Sequence, residues 1–157
     1  TFIFLLFPFQ TFKFRFADLS QVQYTTKAND IQLSFIGTNS SSKQCTGIYP
    51  AQKYYLGFYD GEKLIAVMDF IMAYPDELTA FIGFFMTDVS IQNTGTGSKI
   101  INDLCAYLFR IGMANARLGW VKGNPQAEHF WHKNGFRETG VTYDTENYTV
   151  IVAQRGL

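Results

Sequence analysis

Over most of the chain beyond residue 53, apolar positions recur with a period that predicts an element. "KYYLGFYDGEKLIAVMDFIMAY" reads as two strands joined at Asp60-Gly61, a dipeptide suited to the positive φ of a tight hairpin turn. "YPDELT" is a second polar turn, with Pro75 and Asp76. "AFIGFFMTDV" follows as a third strand, whose nearly continuous apolar run predicts burial on both faces. Ile100, Ile101, Leu104, Cys105, Leu108 and Ile111 then lie on one face of a helix, ended by Gly112. "ARLGWV" is a fourth strand. "NPQAEHFWHKN" is a short helix with Asn124 as N-cap, Pro125 at the first helical position and Gly135 as its stop. "FRETGVTY" and "NYTVIVAQ" predict a closing strand pair, with Tyr143 and Tyr148 as packing residues beside the turn.

The first fifty residues are less regular. "TFIFLLFPFQTFKFRF" carries seven Phe in sixteen residues, and its Phe12 to Phe16 alternation predicts a strand with one apolar face. Residues 1–9 fit an added strand, a cover for an exposed edge, or a packing surface for a partner subunit, so a homodimer is one expectation. Ala17 to Ile36 reads as a weak helix capped by Asp18, with Leu19, Val22, Ile31, Leu33, Phe35 and Ile36 spaced irregularly. "GTNSSSKQCTG", Gly37 to Gly47, is a loop by composition. The order β, α, β, β, β, α, β, α, β, β predicts a single α/β (α+β) domain over residues 1–157. Its sheet is mixed and largely antiparallel, with about six to seven strands flanked by helices.

Composition narrows the partners. The chain has 157 residues, 47% of them hydrophobic, enough for one domain with a sizeable core. Lys+Arg and Asp+Glu are 13 each, so a broad nucleic-acid surface is not expected. The amino-terminal apolar run is broken by Pro8 and lacks the flanks of a signal peptide, and it is too short to span a bilayer. Cys105 lies on the apolar face of a helix and reads as a buried free thiol, while Cys45 sits in a polar loop. Two unpatterned cysteines form neither a zinc site nor a disulfide framework. No metal is expected, and a reducing, cytoplasmic setting is the default.

Gly95 and Gly97 stand between a β-branched run and an amphipathic helix. A helix amino terminus leaves backbone N–H groups unpaired and carries partial positive charge. Glycine there permits unusual φ and lets an anion approach the backbone. Two phosphate-binding patterns fail: Gly97 is followed by Ser98-Lys99, the wrong order for a Walker loop, and Ile100 stands where a dinucleotide fold has its third glycine. A strand-to-helix turn without a ligand accounts for this stretch equally well.

A second stretch changes the balance. Gln92-Asn93-Thr94-Gly95-Thr96-Gly97, followed by Asn124, Ala127, Phe130-Trp131 and Gly135-Phe136, resembles the two motifs of the GNAT superfamily of N-acetyltransferases. The resemblance covers about Tyr54 to Ala153, with Phe81 to Val89 standing as the family's fourth strand. It implies a sheet splayed between strands four and five, acetyl-CoA as cosubstrate and an amine as acceptor, small molecule or protein. By the same resemblance, Asn93 to Ser98 would hold the diphosphate and the Phe85-Met86-Thr87 edge the pantetheine. Gln92, Asn124 and Trp131 complete the implied cofactor set.

Acetyl transfer needs a base, because an alkyl ammonium with pKa near about 10 must lose a proton before it attacks. The chain has Trp131 where many members carry a tyrosine acid, and an indole N–H transfers no proton at neutral pH. Gly119 stands where some members carry a glutamate base. The remaining candidates are Asp69, set in the apolar strand "AVMDFIM", and His129 and His132 on the short helix. Each has a plainer reading: a solvent-facing carboxylate and two exposed helix histidines. Asp88, at a strand end, reads as structural. Asp76 and Glu77 suit a cationic amine or a solvated turn. An acyl-CoA-binding sensor without turnover is the alternative function.

Overall fold

The computed structural model describes residues 2–4, 25–28, 31–37, 53–60 and 62–157. In chain order these form β1 (Phe2–Phe4), β2 (Thr25–Ala28), β3 (Ile31–Gly37), β4 (Lys53–Asp60), β5 (Lys63–Ile71), β6 (Thr79–Asp88), α1 (Thr96–Arg110), β7 (Asn115–Val121), α2 (Pro125–Lys133), β8 (Arg137–Asp144) and β9 (Thr149–Gly156). A 3₁₀ turn, Val89–Ile91, links β6 to the approach of α1. The strands make one mixed sheet in the order β2-β3-β4-β5-β6-β7-β9-β8, and β1 joins it by pairing with β6. Every pairing is antiparallel except β6 with β7.

The expected mixed α/β architecture is present, with a correction at its amino-terminal end. The weak helix over Ala17 to Ile36 does not form where the chain is described. Thr25–Ala28 and Ile31–Gly37 are antiparallel strands instead, with Ala28 facing Ile31. The physical reason is legible in Ile31-Gln32-Leu33-Ser34-Phe35, which alternates apolar and polar residues with a period of two. A helix would scatter those apolar positions around its circumference. The strand expected at Phe12 to Phe16, and Cys45 with most of its loop, lie outside the described residues. Of the three readings for residues 1–9, Phe2–Phe4 takes the added strand.

Both helices bury the faces their sequence predicts. Ile100, Ile101, Leu104, Cys105 and Leu108 of α1 are buried, while Ile111 lies beyond the helix end and is exposed. Cys105 is a free thiol, and burial pushes it above its usual range despite Arg155 nearby. Ala127 and Trp131 of α2 join the same core as Phe58, Met68, Ile82, Phe85, Leu118 and Trp120. The strand β7 buries alternate residues, Ala116, Leu118 and Trp120.

The strand β6 is not buried on both faces throughout, and its alternation slips once. Ala80 and Ile82 are buried two apart, but the next buried core residue is Phe85. The pairing with β5 shows why: Asp69 faces Phe84 and Phe70 faces Ile82, which leaves Gly83 as an extra residue. That is a β-bulge, which bends the strand and breaks its ladder. The parallel ladder with β7 ends at Ile82 facing Leu118, the residue before the bulge.

Leu108 is fully buried under the sheet. Leu108→Ala is expected to cost about 2–5 kcal/mol, seen as a lower urea midpoint with an unchanged slope. A midpoint equal to the parent's would show that α1 does not pack as described.

Candidate active site

The turn into α1 is built in two steps. Asp88 caps the 3₁₀ turn: its carboxylate accepts from the Ser90 backbone N–H at 2.8 Å and from the Ser90 hydroxyl. These bonds hold its carboxyl below the usual range, with Lys63 Nζ 3.8 Å away adding to the effect. Asp88 is therefore structural, as expected. Past Gln92 the backbone turns through Asn93, at φ +60°, and Thr94, whose hydroxyl donates to the Ile91 carbonyl at 2.6 Å. Gly95 is the N-cap of α1, at φ +87° and with no side-chain cap.

The two glycines serve different ends. At Gly95 a side chain would be strained by φ alone, and nothing lies within 4 Å of where a Cβ would stand, so the space before the helix is open. At Gly97 a Cβ would stand 3.4 Å from the Phe130 ring and 3.7 Å from the Thr87 methyl. The first turn of α1 thus lies against β6 and α2, and a Cβ there would make ordinary contacts with both. The N–H groups of that turn have no intrahelical acceptors, and Thr96 N–H reaches Thr94 Oγ1 only at 3.4 Å. The N–H groups of Gln92 and Thr94 are taken by the Val89 and Ile91 carbonyls, at 3.2 and 3.4 Å, so the unpaired donors of this electropositive corner are those at the start of α1.

From this corner β6 runs back to the bulge. Thr87 lies four steps along the strand from Gly83, roughly 13 Å. One edge of this stretch is covered by β5, where Met68, Val67 and Ala66 face Phe85, Met86 and Thr87. The other edge has lost β7, which continues to Val121 paired, among the described residues, only with β9. Met86 and Thr87 face β1 there, while Phe85 has no strand partner on that side among the described residues.

Two residues of the expected cofactor set play other parts. Asn124 caps α2, its Oδ1 accepting from Ala127 N–H at 3.1 Å. Trp131 is fully buried, packed on Phe85, Phe130 and Phe136 at ring separations of 6.2, 5.0 and 5.2 Å. Its indole N–H has no hydrogen-bond partner among the described residues. Gly119 is required by packing: a Cβ would stand 2.6 Å from Val150 Cγ1 on β9.

The titratable candidates separate clearly. His129 is exposed. His132 is half-buried, edge-on to Trp120 at 5.4 Å, with Nε2 4.0 Å from Glu138. Asp76 is taken up by its own turn, accepting from Leu78 N–H and the Thr79 hydroxyl at 3.0 and 2.9 Å. Tyr143 is largely exposed and does not pack as expected, and Tyr148 is half-buried.

Asp69 does not point to solvent. It is 9% exposed, and its carboxyl lies over the bulge, where a Cβ on Gly83 would stand 3.2–3.4 Å from it. Oδ2 pairs with Lys53 Nζ at 3.1 Å, and Oδ1 is buried with no partner among the described residues. Burial pushes the Asp69 carboxyl above its usual range despite the Lys53 ammonium beside it. Burial also opposes the charge of Lys53, but attraction to Asp69 and Tyr55 outweighs it and raises that ammonium. Burial is the stronger influence on the carboxylate because only one of its oxygens is paired.

A family model described as Acetyltransferase (GNAT) family matches residues 18–136. No curated protein sequence matches the chain. Among solved structures, an acetyltransferase from Thermus thermophilus aligns at TM-score 0.57 and 20% identity, over 68% of this chain and 65% of that one. This chain thus spans less than two thirds of that protein's length. A GNAT family acetyltransferase from Elizabethkingia anophelis with acetyl-CoA bound aligns at TM-score 0.61 and 12% identity, over 83% of this chain and 100% of that one. A Bacillus subtilis acetyltransferase in complex with CoA aligns at TM-score 0.57 and 18% identity, over 68% and 78% of the two chains. At these identities the likeness is one of fold.

The contact behind Gly119 is testable. Gly119→Ala is expected to destabilise the protein by about 1–3 kcal/mol through overpacking, and Val150→Ala in the same chain to recover most of that loss. Denaturation of both proteins reads the outcome, and a harmless single substitution would refute the packing account.

Proposed function

The chain belongs to the acetyltransferase (GNAT) family, and on that premise we propose that it transfers the acetyl group of acetyl-CoA to a primary amine. The observation that carries the reading is the open backbone corner at Gly95, joined through Thr87 to a strand edge released by β7. A diphosphate suits the corner, since N–H groups and the helix dipole stabilise it without a basic side chain. An extended thiol arm suits the edge, where main-chain groups lack a β7 partner. The reactive thioester then lies near the bulge at Gly83, beside Asp69.

The chemistry balances with the groups available there. The amine nitrogen attacks the thioester carbonyl carbon, the N–C bond forms and the C–S bond breaks. The proton lost by the amine passes to Asp69 Oδ1, directly or through water, and the departing thiolate takes a proton from solvent. A carboxylate raised by burial is better matched to this work than an ordinary one. Trp131 contributes no acid, because its indole N–H is not transferable.

Trp131 and Gly119 in the family's usual acid and base positions favour one second reading, an acyl-CoA-binding module without turnover. Release of free thiol from acetyl-CoA across a panel of primary amines and polyamines separates the two, and a silent panel selects the second.

Two further outcomes are expected. Calorimetry should detect CoA binding to the parent protein, and Gly95→Ala should weaken it at least about tenfold, ~1.4 kcal/mol; no heat with the parent protein would remove the cofactor assignment. Asp69 works only when ionised, and its folded-state pKa lies above the ordinary value of about 3.9. Activity should therefore rise with pH through an acidic limb above that value. Asp69→Asn should abolish the limb and lower kcat about 10²–10⁴-fold. A retained limb with a parent-like rate would exclude Asp69 as the base.

A further inference from the structure

The edge assigned to the thiol arm already carries a strand. The three residues of β1 pair antiparallel with β6 in the register Phe2 with Asp88, Ile3 with Thr87 and Phe4 with Met86. Because β5 covers the other edge at Met86 and Thr87, β1 lies on the side that β7 occupies earlier, at Thr79–Ile82. Two of its three partners, Met86 and Thr87, are residues whose main chain the cofactor reading gives to pantetheine. A strand edge accepts one extended neighbour at a time, about 4.8 Å away in the sheet plane. Pantetheine, with two amides along an extended arm, would occupy that same place.

We propose that the Met86–Thr87 edge is a single binding site with two mutually exclusive occupants, the chain's own Phe2–Phe4 strand and the pantetheine arm of coenzyme A. The proposal rests on the coenzyme A reading above. A three-residue antiparallel pairing is weak by itself, so a ligand also anchored by its diphosphate at Gly95 can displace it. While β1 is docked it lowers the apparent affinity by the fraction of molecules with a free edge; a strand docked about 90% of the time weakens binding about tenfold. Cofactor binding in turn releases the amino-terminal strand, so the occupancy of one ligand is read out at residues 2–4.

The test uses the full chain. Ile3→Pro fixes φ at about −65°, away from the extended strand value, and removes the Ile3 N–H, so it disfavours pairing, whereas Ile3→Val keeps the strand conformation and the N–H. Calorimetry with CoA should show Ile3→Pro binding several-fold tighter than the parent, and Ile3→Val matching the parent. Hydrogen exchange on the unmodified protein supplies a second reading: CoA should speed exchange at Phe2–Phe4 while Met86 and Thr87 stay protected. Equal or weaker CoA affinity for Ile3→Pro, with exchange at residues 2–4 unchanged by CoA, would overturn the shared site while leaving the cofactor reading intact. Absence of CoA binding in both proteins would overturn the two together, and would place the fault in the cofactor reading.

Discussion

The extra residue Gly83 in β6 governs the arrangement of everything around it. Regular pairing on both edges would have carried β6 and β7 side by side to their ends, and no main-chain edge would be left open between them. With Gly83 unpaired against β5, the parallel ladder stops at Ile82 and Leu118. The inward-facing phase of β6 also moves by one residue, which brings Phe85 into the core against Phe130 and Trp131. One local irregularity thus opens the edge and anchors the short helix beside it.

The bulge also accounts for the burial of Asp69. A carboxylate inside a sheet is costly unless its oxygens are paired, and here only Oδ2 has its counter-charge in Lys53. The space it fills exists because residue 83 has no side chain. A buried ion pair with one unsatisfied oxygen contributes little stability by itself, and the raised carboxyl is the electrostatic consequence. A costly carboxyl thus sits where the strand edge opens.

Close packing explains the departures from the family pattern. Trp131 fills a volume bounded by three aromatic rings, so that position serves the core. Gly119 faces Val150 too closely to carry a carboxylate side chain. The buried carboxyl nearest the opened edge comes instead from β5, where Asp69 lies over the bulge. The same close packing brings the first turn of α1 against Phe130 of α2 and Thr87 of β6.

Local chemistry along the chain was enough to determine the elements beyond residue 53, the glycine turn and the caps at Asn124 and Gly135. Periodicity, propensity and cap geometry act within a few residues of one another. The two-residue alternation of Ile31 to Phe35 was equally local, and the looser helical reading obscured it. The sequence also singled out Asp69, as a charge in an apolar strand. What it left open was whether that charge meets water or Lys53, and which position of β6 carries the extra residue. It also left open whether Phe2–Phe4 covers an edge or joins one. Those were decided by the tertiary structure, since each depends on register between strands far apart in the chain, where one residue of shift exchanges core for solvent.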